Sequence, residues 1–298
     1  MLVPIISYNL EKVSRDYYYG PERLWLGAFL INILTQIIPG RFDSQVAGKK
    51  PQIPWNTIFQ PAGYAFAVWA VIYVGEILVT LAVSNLGIPS RNAVIYWTTA
   101  NLFQSSWCLL FRPKYVEALW LPSIMIGLGA LSLFGLHFEV TKAVANASNV
   151  ARLFLQILRI PISVHAAWLT AAFLLNLNGW VTVSGLSISK QLYIARFTSL
   201  LAALIGMVSI IVSGDPFISA TVIWTLKAIS LEAKRYPNDI TIDSKGNFMR
   251  DDDKNRFSRF ISSLSNLVSL TLSGVMIAKA LGANGLLEKL HESMYVHE

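Results

Sequence analysis

One segment, residues 159–180, is long and apolar enough to cross a bilayer, yet it contains a histidine, two tryptophans and two asparagines. A run of about 20 mostly apolar residues predicts a transmembrane helix. Hydrocarbon penalises unpaired amide and imidazole groups, so in membrane proteins such side chains face a helix bundle or a cavity. The segment therefore predicts a helix inside an integral membrane bundle, which limits the fold to helices packed around it.

The composition supports a membrane protein over the whole chain. Of its 298 residues, 54% are hydrophobic and 14% are charged, and the mean hydropathy is +0.51. Charged residues make up about a quarter of a soluble domain. The sequence therefore predicts an all-α, polytopic integral membrane protein. The sequence is compatible with a plastid, mitochondrial, endoplasmic reticulum or bacterial membrane.

The net charge and the cysteine content limit which partners the protein can bind and which chemistry it can perform. The net charge of +7 comes from basic residues spread over loops, without a basic stripe interleaved with aromatic residues. Anionic lipid headgroups are thus expected partners, and nucleic acid is not. A single cysteine, Cys108, excludes an internal disulfide and a cysteine-based metal cage. No hydrolase or phosphate-binding motif occurs, so no enzymatic activity is expected.

Apolar runs and charged loops alternate along the chain and predict eight helices. The predicted helices cover about residues 24–38, 61–84, 94–111, 116–138, 154–183, 192–212, 217–231 and 257–286. We divide the chain into an N-terminal interfacial segment (1–23), a five-helix core (24–184), two further transmembrane helices (185–235), a charged loop (236–256) and a C-terminal helix with a tail (257–298).

Three finer boundaries follow from local signals. Residues 139–150 are polar and are predicted to connect two helices. Pro161 is predicted to kink the fifth helix or to mark its start. Asp215 followed by a proline predicts a capped helix start. The C-terminal helix is predicted either to span the membrane or to lie against it.

Two helices carry aromatic faces that suit a flat, apolar ligand. Residues four apart share one helix face, and the fifth helix has such a series in Trp168, Ala172, Asn176 and Trp180. The second helix carries Phe66, Trp69, Tyr73 and Glu76 along one stripe. Ordinary helix packing is the alternative for both faces. Glu76 either has a functional role within the membrane or reaches water near a helix end.

His165 lies in the middle of the fifth helix and allows two interpretations. Imidazole is a common axial ligand of haem iron, and it can equally bind the magnesium of a chlorophyll. The alternative is a hydrogen bond to a neighbouring helix, to Gln104 or Asn101. His137 is a weaker candidate of the same kind.

Two spaced motifs resemble those of the TspO/translocator-protein family of tryptophan-rich sensory proteins. They are Phe66-x-x-Trp69-x-x-x-Tyr73 and Trp168-x-x-x-Ala172-x-x-x-Asn176-x-x-x-Trp180. The similarity is greater to a longer branch of that family, in which an aspartate and a Val-x-Trp-Ala helix follow, as in Asp215 to Trp224. The resemblance covers residues 24–184 and extends over residues 190–233.

The chain departs from the family pattern in the loop before the second helix and at three places in the helices. Val68 stands where the family has a proline before the tryptophan. Gln104-Ser-Ser-Trp107 replaces Asn-x-x-Trp in the third helix, and His165 replaces a tyrosine. The resemblance implies binding of porphyrins and, in some lineages, of cholesterol. The departures bear on ligand identity more than on fold.

These observations lead to the hypothesis of a cavity for a flat hydrophobic ligand, a tetrapyrrole first and a sterol second, bound for sensing, storage or transport. The 41–60 loop would act as its lid. The predicted ligand-binding residues are Phe66, Trp69, Tyr73, Gln104, Trp107, His165, Trp168, Ala172, Asn176 and Trp180, with His165 as the predicted metal ligand of haem or chlorophyll. The alternatives are a pigment-binding subunit of a larger membrane complex and a secondary transporter. A homodimer or a larger complex is compatible with each.

Overall fold

In the computed structural model, residues 20–37, 56–86, 90–235 and 249–280 are described, and they form eight α-helices and no β-strand. The α-helices are α1 (Gly20–Ile37), α2 (Val68–Leu86), α3 (Arg91–Leu110), α4 (Trp120–Asn146), α5 (Asn149–Val183), α6 (Ile188–Ser213), α7 (Pro216–Arg235) and α8 (Asp251–Ala280). Short 3-10 helices, Gly63–Ala67 and Pro113–Ala118, precede α2 and α4. The predicted all-α architecture is confirmed.

Five of these helices are long and apolar enough to cross a membrane. They are α2 with its preceding 3-10 turn (Gly63–Val83), α4, α5, α6 and α8. The C-terminal helix α8 thus has the length and apolarity of a spanning helix. These helices confirm a multi-pass integral membrane protein.

The helix connections differ from the prediction around residues 139–150. Helix α4 continues to Asn146 and α5 begins at Asn149, so the predicted polar connection is helical apart from two residues. The reason is that Val140, Thr141 and Val144 are buried on α4 and extend its packed face. At 35 residues, α5 is about 50 Å long, which exceeds the roughly 30 Å of a hydrocarbon core.

Pro161 lies inside α5 and marks neither its start nor its end. Helix α2 passes α5 there, with Gly75 against the proline ring. A Cβ added to Gly75 would lie 2.9 Å from Pro161 Cγ and closer still to its Cβ. The glycine therefore permits an approach that any larger residue would prevent, as small residues do where membrane helices pack closely.

Two apolar cores hold the bundle together. The first joins α1 to α5 and contains Trp25, Trp97 and Leu169 among its buried residues. The second joins the C-terminal half of α5 to α6, α7 and α8, with Leu226 and Phe257 at its centre. Helix α5 contributes to both cores and thus connects the five-helix core to the three helices that follow it.

Helix α8 begins six residues earlier than predicted, within the charged segment 236–256. Asp251, Asp252 and Asp253 occupy its first turn, where negative charge interacts favourably with the helix dipole. Lys254 pairs with Asp251 at 3.2 Å. The three aspartates, which were predicted to lie in a loop, therefore form the first turn of α8.

Candidate functional site

A cavity of about 260 Å³ lies between α2, α3, α5, α7 and the segment that leads into α2. Its walls are formed by Phe59, Gln60, Pro61, Phe66, Trp69, Trp107, Phe111, Trp168, Ala171, Ala172, Leu175, Asn176, Thr225 and Ile229. Six of the ten predicted binding residues are in this set: Phe66, Trp69, Trp107, Trp168, Ala172 and Asn176. The two aromatic faces recognised in the sequence therefore meet across one cavity.

The aromatic wall is built around Trp168. Its ring meets Trp69 nearly at a right angle, with centroids 6.1 Å apart, and meets Phe66 in the same way at 5.6 Å. Edge-to-face contacts of this kind are favourable because the positive ring edge meets the negative ring face. Trp168 is buried, whereas Phe66 is 38% exposed and forms the outer part of the wall.

About two helical turns along α5 from Trp168, the cavity has a fixed polar edge. Trp107 Nε1 donates to Asn176 Oδ1 at 3.1 Å, and Asn176 Nδ2 donates to the Ala172 carbonyl at 2.7 Å. These two hydrogen bonds set the orientation of the amide. Among the described residues, no charged side chain lines the cavity, and the buried Trp168 Nε1 has no hydrogen-bond partner.

The structure places Tyr73 and Gln104 outside the cavity wall. Gln104 Nε2 donates to the Tyr73 hydroxyl, and that hydroxyl donates to Asn32 Oδ1, each at 3.1 Å. This chain of hydrogen bonds links α1, α2 and α3 behind Trp69, on which Tyr73 stacks at 5.6 Å. Trp180 follows Asn176 by one turn and does not reach the wall.

His165 and Glu76 form a buried pair between α5 and α2. His165 Nδ1 lies 2.5 Å from Glu76 Oε1, and each residue is 1% exposed. The predicted hydrogen bond between His165 and a neighbouring helix is present, but the partner is Glu76 on α2 rather than Gln104 or Asn101 on α3. Glu76 also does not reach water. His165 Nε2 and Glu76 Oε2 have no hydrogen-bond partner within the part of the chain that the structure describes.

Trp69 separates this pair from the cavity. Its ring lines the cavity and meets the His165 ring at 5.8 Å, edge to face. Within the described parts of the chain, no three His, Cys, Asp or Glu side chains group together as metal ligands do. The ligation of a metal by His165 therefore stays a prediction.

A second buried polar cluster surrounds Asp215, and its residues do not line the cavity. Asp215 Oδ2 accepts from Ser163 Oγ at 2.5 Å and pairs with Arg159 Nε at 3.2 Å. Asp215 Oδ1 accepts from the Phe217 N–H at 2.8 Å, which confirms the predicted cap of α7. His137 lies in this cluster, 3.4 Å from Ser163 Oγ.

Several cavity residues carried no recognised signal in the sequence. Phe111 lies one turn after Trp107, so helical spacing could have identified it. Thr225 and Ile229 come from α7 and depend on long-range packing. Of the predicted lid, residues 41–55 lie outside the described residues, whereas Phe59 and Gln60 do line the cavity.

The fold and the cavity define a polytopic α-helical membrane protein with an aromatic cavity inside its bundle. A family model described as TSPO-like protein matches residues 24–243. The chain therefore belongs to the TSPO-like protein family. The match includes α6 and α7 and ends before α8. No curated protein and no solved structure matches the chain significantly.

Proposed function

We propose that the protein binds a flat hydrophobic ligand in this cavity, a tetrapyrrole first and a sterol second, for sensing, storage or transport. One observation carries the proposal: Phe66 and Trp69 each meet Trp168 edge to face in the cavity wall, and a fixed Trp107–Asn176 hydrogen bond lies in the same wall. Each aromatic contact with a conjugated ring adds about 0.5–1.5 kcal/mol beyond the burial of area. A conjugated macrocycle gains this term, and a sterol does not.

The cavity lining also restricts which part of a ligand is buried. Because none of the lining residues is charged, ionised substituents such as porphyrin carboxylates would lose hydration without gaining a partner. We therefore expect the apolar edge of the macrocycle to enter first. Its charged groups would stay on the side of the exposed Phe66.

Size sets a second condition. At about 260 Å³, the cavity is slightly smaller than the range of roughly 300–1,000 Å³ typical of ligand sites. A macrocycle would therefore enter the cavity only in part, or a wall would have to move. The described lining residues offer amides, one hydroxyl and indoles but no carboxylate or imidazole. This supports binding rather than acid–base turnover.

A metal-containing tetrapyrrole would also need a side chain that can coordinate its metal. Glu76 holds His165 Nδ1, the arrangement in which a carboxylate orients a metal-binding histidine, and the other ring nitrogen has no partner. His165 nevertheless lies behind Trp69, so coordination would require that indole to move. A metal-free macrocycle requires no such movement, and it is the form we propose.

The test is a titration of the detergent-purified protein with protoporphyrin, followed by quenching of tryptophan fluorescence. Trp168→Ala should weaken binding by about 1–3 kcal/mol, several-fold to hundredfold, because a ring in contact with the ligand is lost. Trp120→Ala is the matched control, because Trp120 is 46% exposed at the start of α4 and outside the cavity. Quenching no greater than in an unrelated membrane protein of similar tryptophan content would refute the proposal.

A further inference from the structure

Helix α7 holds the segment that closes one side of the cavity. The Ala62 N–H donates to the Ala228 carbonyl at 3.1 Å, and Trp224 Nε1 donates to the Ala65 carbonyl at 3.3 Å. The Trp224 ring also meets Tyr64 edge to face at 5.0 Å. Residues 56–67, called the entry segment below, are thereby attached to a helix outside α1 to α5.

The entry segment and α7 together form one wall. Gln60 and Pro61 line the cavity from the entry segment, and Thr225 and Ile229 line it from α7. Trp224 itself is 42% exposed and does not line the cavity. Its effect on a ligand would therefore be indirect, through the position of the entry segment.

The other walls are less able to move. Helices α2 and α5 are in close contact at Gly75 and Pro161, and the buried Glu76–His165 pair lies beside that contact. The entry segment, by contrast, consists of turns and a short 3-10 helix, whose hydrogen-bond geometry is weaker than that of an α-helix. A macrocycle larger than the cavity would displace the entry segment before it displaces the other parts of the wall.

We propose that Trp224 is a positioning residue, which holds the entry segment against α7 and so sets how fast the cavity opens to its ligand. The inference rests on the proposed function. It makes α7 part of the binding site, although α7 lies beyond the five-helix core. Opening would break two hydrogen bonds, those of Ala62 and of Trp224, while the core packing of α2 on α5 stays in place.

The experiment uses the full-length protein in lipid nanodiscs and the variant Trp224→Phe, which keeps an aromatic ring and removes the N–H donor. We expect amide hydrogen exchange in residues 56–67 to become several-fold faster without ligand. Protoporphyrin association and dissociation should both accelerate several-fold, with an unchanged thermal unfolding midpoint. Trp120→Phe is the matched control, since Trp120 is similarly exposed at 46% and lies outside the cavity; it should change neither rate.

A second variant tests the other hydrogen bond. Ala62→Pro removes the N–H that donates to Ala228, and the φ of −57° at Ala62 already fits proline. It should accelerate exchange in residues 63–67 as Trp224→Phe does. If Trp224→Phe leaves exchange in the entry segment unchanged, the inference is overturned whether or not a ligand binds.

The binding measurements separate this inference from the proposed function. Faster exchange with unchanged porphyrin kinetics would overturn the role of Trp224 in ligand entry while leaving the proposed function intact. No porphyrin binding by the unaltered protein would overturn the proposed function and, with it, the role in ligand entry. The exchange measurement would then still decide whether Trp224 holds the entry segment.

Discussion

Trp107 and Asn176 are joined across the bundle, because the indole N–H on α3 donates to the amide oxygen on α5 at 3.1 Å. Both side chains are buried and both line the cavity. The amide N–H of Asn176 is used by the Ala172 carbonyl. One hydrogen bond thus joins two helices and fixes the polar edge that a ligand would meet.

Asn176→Leu should therefore affect both stability and binding. Leucine keeps a similar volume but removes the acceptor of the Trp107 indole, so we expect a loss of about 1–3 kcal/mol in the free energy of unfolding. Porphyrin affinity should fall several-fold, because the polar edge is lost. Thermal unfolding in detergent and fluorescence titration measure the two effects.

Asn178→Leu is the control on the same helix. Asn178 is equally buried but donates to Thr198 on α6 at 2.9 Å, outside the cavity. We expect a comparable loss of stability with unchanged porphyrin affinity. Equal losses of affinity in both variants would show that the cavity responds to bundle stability rather than to Asn176.

The close crossing of α2 and α5 gives a second prediction. Gly75→Ala places a Cβ into the ring of Pro161, and overpacking of this kind costs about 1–3 kcal/mol. Gly27→Ala is the matched control, because a Cβ there meets nothing within 4 Å. Thermal unfolding midpoints should fall for the first variant only. An unchanged midpoint in Gly75→Ala would show that the two helices can separate without loss.

The sequence predicted those cavity residues whose positions depend on local periodicity. Trp168, Ala172 and Asn176 lie one helical turn apart, so they share a face in any α-helix. The same rule also placed Trp180 on that face, and it cannot tell where along a helix a cavity ends. Thr225 and Ile229 were not predicted, because only the folded bundle brings α7 to the cavity.

Pairings between helices were harder to predict for the same reason. Glu76 and His165 were each recognised as unusual polar residues in apolar helices. Their partnership depends on how α2 packs against α5, which also brings Gly75 against Pro161. The role of Asp215 as a helix cap could be predicted from local sequence alone, because its carboxylate accepts from the Phe217 N–H only two residues further on.

The Glu76–His165 pair should contribute strongly to stability as a pair. Glu76→Leu leaves a buried imidazole nitrogen without its hydrogen-bond partner, which costs about 1–3 kcal/mol. The double variant Glu76→Leu, His165→Leu removes both polar groups and should recover most of that loss. A double-mutant cycle of thermal unfolding measures the coupling. Additive losses would show that the two side chains do not interact in solution.

Trp69 should control access of a metal to His165. We expect haem added to the unaltered protein to show no histidine-dependent change in its Soret band, because the indole separates His165 from the cavity. Trp69→Ala should allow ligation and shift the band, and adding His165→Leu to that variant should abolish the shift. A His165-dependent shift in the unaltered protein would instead show that Trp69 moves aside when haem binds.

The pair of Asp215 with Arg159 should stabilise the attachment of α7 to α5. Asp215→Asn keeps an oxygen for the α7 cap but removes the charge that pairs with Arg159 at 3.2 Å. Because Asp215 is fully buried and the Arg159 side chain is 12% exposed, we expect a loss of about 3 kcal/mol, the lower end for a broken buried pair. Asp252→Asn is the control, since its pair with Arg256 is exposed and should change stability by less than about 1 kcal/mol. Similar unfolding midpoints for the two variants would mean that the buried pair contributes no more than a surface one.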